Sequence, residues 1–498
     1  MYYVQNLGEY MATVATIITF IIYLIFLLFI GFFFYKKTNN LEDYLLGGRS
    51  MGVWVTALSA QASDMSGWLL MGLPGAVFLY GLGQTWIAIG LFVGTVLNWV
   101  LVAPRLRVYT ERTNSLTLSS FFENRFKDPT GLLRIISAII TLIFFTIYAS
   151  SGMAGAGKLF ESMFNIPYVT AVIGGCFVIV LYTFLGGFLA VCWTDLFQGA
   201  LMFFSILVVP IYAIVTRGGF DAIHAAAQAK NISMSLIDSN SGFAGVVAII
   251  STMAWGLGYF GQPHILARFM SIKDVKELSR ATVIATVWVF ISLIGAICVG
   301  LIGLAMYKDA PGGDAEKVFI YMISDLFNPW VGGILLAAIL SAIMSTIDSQ
   351  LLVSSSALTE DFYQKIINHE ASEKELIWIG RLCVIIISVI AMVLALNPKS
   401  SILSLVSYAW GGFGAAFGPV VLMALFSKKT TWKSALMGMI VGAVVCVVWK
   451  QVGLSSVMYE IVPGFIANFA VIVVYNAVKP QNDSEILKEF AEIKKSLK

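Results

Sequence analysis

A run of about 20 mostly apolar residues is long enough to cross the hydrocarbon layer of a bilayer as a helix, and this chain of 498 residues contains thirteen such runs. They lie near 12–35, 52–80, 84–103, 133–157, 167–187, 191–215, 244–264, 281–306, 329–357, 376–396, 400–426, 434–449 and 462–478. In lipid each spanning segment must satisfy its own backbone polar groups, so the expected fold is an all-α polytopic membrane protein. No stretch between the runs is long enough for a soluble domain. The first run is too long for a signal-peptide core and leads into Lys36-Lys37 without a small-residue cleavage site, so it is expected to be retained. With 12% charged residues against about a quarter in soluble proteins, a water-soluble enzyme is excluded.

Charge and reactive residues narrow the function. A formal net charge of +3, from 31 Lys and Arg against 28 Asp and Glu, is too balanced for a nucleic-acid binder. Five cysteines, all inside apolar runs and without metal spacing, predict no disulfide framework. His224, His264 and His369 are too scattered for a zinc site or for the nucleophile and base of an intramembrane enzyme. Lys and Arg accumulate in cytoplasmic loops. With thirteen spans and the N-terminus outside, 24 of the 31 fall in the inner segments 36–49, 105–134, 268–280, 365–381, 428–433 and the tail from Lys479. Lys158, Arg217, Lys230, Lys308, Lys317, Lys399 and Lys450 fall outside, which places the C-terminus in the cytoplasm. Glu485, Lys488, Glu489, Glu492 and Lys495 in the tail read as a solvated helix face.

Three acids violate the apolar rule: Asp64 in the second span, Asp195 at the start of the sixth and Asp348 in the ninth. Each ionisable group costs about 2.5–3.5 kcal/mol at the bilayer centre even on the lenient scale. Three such acids with no comparably buried Lys or Arg predict a cation path. Asp64 lies in Ala62-Ser63-Asp64-Met65-Ser66-Gly67, a small and polar interruption followed by Gly72 and Pro74. A segment of this kind unwinds, and the carbonyls it frees suit a hard monovalent cation. The seventh span carries a second interruption, Trp255-Gly256-Leu257-Gly258-Tyr259-Phe260-Gly261-Gln262-Pro263. Spans two and seven are five apart and cross in opposite directions, as a pair of inverted five-helix repeats requires, with a solute site near the midplane. In the ninth span, helical spacing puts Ser345, Asp348 and Ser349 on one face with Ala342 a turn above. The hydroxyls of Ser345 and Thr346, with carbonyls of the broken second span, predict an oxygen-only site suited to Na+.

These stretches resemble the sodium/solute symporter family, most closely its sodium/proline branch. The likeness runs nearly end to end through Gly47-Gly48-Arg49-Ser50, Ala62 to Trp68, Tyr182-Thr183 with Gly186-Gly187-Phe188, Trp193-Thr194-Asp195, Trp255 to Met270, Ala342 to Thr346 and Ser407 to Pro419. Ser434-Ala435 departs from the Gly-Ala the family commonly has there. The resemblance implies a LeuT-type 5+5 inverted-repeat core at 51–427, with repeats at about 51–215 and 244–427. Residues 1–50 would then add an N-terminal helix and cytoplasmic loop, and 428–498 two C-terminal helices and a cytoplasmic tail. It implies sodium held by backbone oxygens of Ala62, Met65 and Ala342 and by the hydroxyls of Ser345 and Thr346. Tyr148, Trp255, Tyr259 and Pro263 match positions of substrate recognition. Asp64, Ser66, Gly67 and Arg49 match positions of ion binding or coupling, with Ser66 and Gly67 also assigned to the substrate site. Asp195 matches an acid near the inner ion exit, and Asp348 with Asp195 and Ser349 is placed as a second cation or proton site.

The implied function is sodium-coupled uptake of L-proline across the bacterial cytoplasmic membrane by alternating access. Proline suits an aromatic pocket, since its ring lies on aromatic faces and its ammonium meets their negative quadrupole. The residues alone do not separate proline from betaine, pantothenate or another small solute. A transporter-like sensor is disfavoured by the short tail, and a channel by the pair of broken helices.

Overall fold

The computed structural model describes residues 2–35, 40–185, 187–237 and 242–497. Among these, every element of regular structure is helical and no β-strand occurs. Lys36, Lys37, Gly186, Lys498 and the side chain of Tyr182, all used in the sequence reading, lie outside the described residues.

Among the described residues, each of the thirteen apolar runs falls largely on helix. The first is α1 (Tyr2–Tyr35), followed by the short α2 (Leu41–Leu46). The second run is divided. Its first part, α3 (Val53–Asp64), is followed by two non-helical residues, Met65 and Ser66, and a π turn over Trp68–Gly72 then leads into α4 (Leu73–Tyr80). Gly81, at φ 76°, turns the chain where a side chain would strike the Ser233 carbonyl. α5 (Thr85–Leu97) and α6 (Ala103–Arg112) run back through a second π turn, Asn98–Val102. Arg49, just before α3, bonds Thr110 and Ser115 at the far end of α6, so the two passes form a hairpin with both ends on one face.

α7 (Leu118–Phe126) lies at that end and precedes α8 (Leu132–Phe164), α9 (Tyr168–Leu185), α10 (Phe188–Thr216) and the short α11 (Gly219–Ala229). The seventh run is also divided: α12 (Gly242–Met253) tightens to a 3-10 stretch at Ala254–Gly261, Gln262 is extended, and Pro263 opens α13 (Pro263–Ser271). Proline at a first helical position loses nothing, because that N–H has no intrahelical acceptor. Then come α14 (Leu278–Met306), α15 (Val318–Leu326), α16 (Pro329–Ser356), α17 (Glu373–Ala395), α18 (Ile402–Phe426), α19 (Trp432–Gln451), α20 (Ile461–Val478) and α21 (Ser484–Ser496).

Lipid tails are as apolar as leucine, so membrane helices associate through close fit rather than hydrophobic burial. Two glycines of α5 show this. A Cβ on Gly90 would overlap the Met253 carbonyl and one on Gly94 that of Gly256, so the backbone of α5 lies directly against the broken seventh span. On the opposite side α18 packs along the 3-10 stretch and α8, while α3 sits between α10, α14 and α16.

Two expectations need correction. Buried cations do accompany the buried acids. Arg268, counted among the inner-loop cations, is fully buried in α13, and Lys158, counted outside, is buried in α8 against Asp314 and Glu316. Asp361, beyond the ninth apolar run, is likewise buried and holds Arg134. Secondly, α21 is more than a solvated face: Glu485, Lys488 and Lys495 are exposed, while its other side docks. Ile486 and Ile493 are buried, Phe490 meets the Tyr109 ring, and Glu485 and Glu492 pair with Lys127 and Arg112 on α7 and α6.

Candidate functional site at the paired helix breaks

The two interruptions face each other. At the first, Met65 leaves helical geometry with ψ 72°. In a continuous helix the backbone N–H of Trp68 would serve the Asp64 carbonyl. Here the Trp68 indole Nε1 donates to that carbonyl instead, at 3.0 Å, while its backbone N–H lies 3.4 Å from Ser66 Oγ. At the second, the Trp410 indole donates to the Trp255 carbonyl at 2.7 Å, and Gln262 Nε2 donates to the Trp410 carbonyl at 3.3 Å. Gly258 is required there, since a Cβ would run into the Trp410 ring.

Beside the first break is a cluster of oxygens. Ser345 Oγ lies 2.8 Å from the Ala62 carbonyl and 3.4 Å from that of Ala342. Thr346 Oγ1 lies 3.4 Å and 3.1 Å from the same two carbonyls. All four residues are buried. Four neutral oxygens without nitrogen or sulfur form the donor set a hard monovalent cation takes, and unwound carbonyls are a recurrent part of such sites. No group of three or more His, Cys, Asp or Glu suited to a metal occurs among the described residues.

Tyr259 ties the breaks together by donating its hydroxyl to Asp64 Oδ2 at 2.6 Å. Asp64 Oδ1 is buried without a hydrogen-bond partner. Aromatic rings surround this link: Trp68 is 6.3 Å from Trp255, Tyr259 meets Trp410 edge-on at 5.0 Å, and Trp255 lies 5.6 Å from Tyr459. Tyr148 of α8 is buried with its hydroxyl unpartnered, edge-on to His264 in the first turn of α13. The arrangement offers aromatic faces, two unpaired polar oxygens and a fresh helix N-terminus in one enclosed region.

Below it lies a charged layer. Arg268 Nη2 is 3.2 Å from Asp195 Oδ2, which also accepts from Ser59 Oγ at 2.6 Å. Arg268 Nε donates to Ser59 Oγ at 3.1 Å, and the guanidinium also donates to Ser349 Oγ. Ser349 Oγ lies 2.8 Å from the Ser345 carbonyl and 3.3 Å from Asp348 Oδ1, while Asp348 Oδ2 has no partner. Asp195, Asp348 and Ser349 therefore come together as expected, but around an arginine. Further out, Arg49 joins the mouth of span two to α6 and to the Met270 carbonyl at 3.0 Å. Burial lowers the pKa of this guanidinium and so does nearby Arg107, while Glu42 acts in the opposite sense.

The description "Sodium:solute symporter family" belongs to the family model matched by residues 44–442. The chain belongs to the sodium:solute symporter family. It is 51% identical over 470 residues to the sodium/proline symporter of Escherichia coli strain K12, covering 93% of each chain. With the high-affinity proline transporter PutP of Bacillus subtilis strain 168 it shares 52% identity over 441 residues, 88% of this chain and 93% of that one. Among solved structures, a Na+-coupled sialic acid symporter in a substrate-bound outward-open state aligns with TM-score 0.79 at 19% identity, covering 94% of this chain and 99% of that one. That likeness supports the fold.

In this family member the gathered residues include Ala62, Ala342, Ser345 and Thr346 as one cluster, and Asp64, Trp255 and Tyr259 as another. Met65 and Ser66 form the unwound link between them, Gly67 leads into the π turn, and Pro263 starts the helix after the second break. Sequence reasoning missed Ser59, Arg268, Trp410 and Tyr459. A signal existed for one of them: Arg268 sits inside Ile265-Leu266-Ala267-Arg268-Phe269-Met270, too apolar for a loop.

Proposed function

We propose that the chain carries out sodium-coupled uptake of L-proline by alternating access. The observation that carries the ion site is the approach of the Ser345 and Thr346 hydroxyls to the freed Ala62 carbonyl. The solute assignment is supported by relatives near half identity that are named for sodium and proline. Ala62, Met65, Ala342, Ser345 and Thr346 hold the ion. Trp255, Tyr259 and Tyr148 provide the faces for the proline ring and ammonium, Ser66, Gly67 and Pro263 line the breaks, and the N-terminal end of a half-helix faces the carboxylate. Asp64, held by Tyr259, couples the ion cluster to the aromatic site, so occupation of one raises affinity at the other and the coupling is reciprocal. Asp195, Asp348 and Ser349 form the inner ion path with Arg268 as its fixed cation, and Arg49 braces its mouth.

The architecture assigned to this function has thirteen crossings, with a LeuT-type core at 51–427 flanked by 1–50 and 428–498. Among the described residues, eleven helical stretches meet the length and apolarity of a crossing. One of them, Trp68–Arg112, doubles back at Gly81, and the apolar α9 adds another pass. The N-terminus lies outside and the C-terminus in the cytoplasm of a bacterial plasma membrane, as the loop cations require. Each sodium moving inward supplies roughly 2.3 kcal/mol per 100 mV. The test is uptake of labelled L-proline by purified protein in liposomes, with and without an inward sodium gradient at matched membrane potential. Accumulation above equilibrium only with the sodium gradient is expected. Equal uptake without it would refute coupling.

A further inference from the structure

The first helix lies outside the repeat core, yet one of its side chains reaches the walls of the oxygen cluster. Tyr23 of α1 accepts a hydrogen bond from Gln198 Nε2 of α10 at 2.9 Å, and its hydroxyl is 2.9 Å from Ser341 Oγ of α16. Ser341 Oγ also donates to the Ala337 carbonyl at 2.8 Å, which fixes its rotamer. Both partners are one step from the ion cluster. Gly199, next to Gln198, packs α10 on Leu58 and Ala62 of α3, where even a Cβ would come within 3.4 Å. Ser345, one helical turn from Ser341, presents its hydroxyl to the Ala62 carbonyl. Ala62 is thus held between α10 and α16, and the Tyr23 hydroxyl bridges these two walls from behind.

We propose that Tyr23 is a positioning residue for the sodium site: by cross-linking Gln198 and Ser341 it sets the separation of α10 and α16, and with it the distance from the Ala62 carbonyl to Ser345 and Thr346. The inference rests on the reading of that cluster as the sodium site. It gives the additional helix a part in ion affinity without contact with ion or solute. A cation site selects by the spacing of its oxygens, so loosening the walls weakens sodium binding while leaving the aromatic site, built from α8, the 3-10 stretch and α18, in place.

The test is Tyr23→Phe, which removes one oxygen and leaves the ring packing, measured as sodium-dependent L-proline uptake in liposomes. The half-saturating sodium concentration should rise about threefold to tenfold, the effect of one net hydrogen bond, with the KM for proline at saturating sodium unchanged. Ser341→Ala should do the same, and the double variant should be no worse than either single one, because both cut one bridge. A general loss of fold would instead lower transport capacity and thermal stability without this split. Sodium affinity within twofold of the parent in both variants would overturn the proposal while leaving the transport reading intact. Absence of sodium dependence in the parent protein would overturn that reading, and this inference with it.

Discussion

Ser345 and Thr346 differ in how they meet Ala62, and that difference has a measurable consequence. Ser345 makes the shorter approach, at 2.8 Å against 3.4 Å. A hydroxyl turned to a bound cation contributes on the order of a charged hydrogen bond, about 1.5–3 kcal/mol, so Ser345→Ala should raise the sodium concentration for half-maximal uptake roughly tenfold to a hundredfold. Thr346→Ala should act in the same direction and less strongly. Unchanged sodium dependence in either variant would remove that residue from the site. Trp255 belongs to the solute side. Trp255→Ala should weaken proline binding by about threefold to thirtyfold, the range of a cation–π contact, while sodium-induced thermal stabilisation without proline persists. Equal losses in both assays would mean that Trp255 only props the fold. At this scale the sequence was most informative where a residue type contradicted its surroundings: Asp64, Asp348 and the Ser-Thr pair stand out because lipid-spanning helices exclude them without a reason. Arg268 was legible only as an arginine in an apolar stretch, not by its partner. A single arginine near the end of an apolar run has the same appearance whether it reaches to the interface or folds back onto Asp195, and only the packing of α13 on α3 decides between them.

The elements that matter are discontinuous helices, and their interruptions were legible because glycine, proline and small polar residues concentrate there. What holds an interruption open was not. Trp410 lies 155 residues from Trp255 and reaches it only because α18 packs along the seventh span. Nor does the sequence say which glycines permit contact: Gly90 and Gly94 sit in an ordinary apolar run, and their role appears only against Met253 and Gly256. Gly94→Leu should therefore be more disruptive than most substitutions in α5, because it must push apart two backbones in contact. Overpacking commonly costs about 1–3 kcal/mol, and the variant should show a lower melting temperature and lower transport capacity in the same liposome assay. A variant with parental stability and rate would show that α5 and the seventh span separate freely.

For the whole molecule, the number of apolar runs and the loop charges gave a definite orientation, even though several of the counted cations proved to be buried. Lys158, Arg268, Arg107 and Arg125 are enclosed, and each bonds backbone carbonyls or acids of another segment. The orientation predicts sidedness of labelling. In a variant whose native cysteines are replaced, a cysteine at Lys399 should react with an impermeant maleimide in intact cells, and one at Lys488 only after permeabilisation. The reverse pattern would invert the topology. The charged side of the tail is exposed at Glu485, Lys488 and Lys495 as its charges suggest, whereas Ile486, Phe490 and Ile493 recur at helical spacing on the side that docks.

The indole caps at the two breaks have a spectroscopic consequence. Trp68 donates to a carbonyl of the first interruption and Trp410 to one of the second, so each break contains its own chromophore, with the N–H bonded to the backbone it stabilises. Indole emission shifts in wavelength when that bond is exchanged for water. Two variants, one keeping Trp68 and the other Trp410 as the remaining tryptophan, would each report the opening of one break without any attached dye.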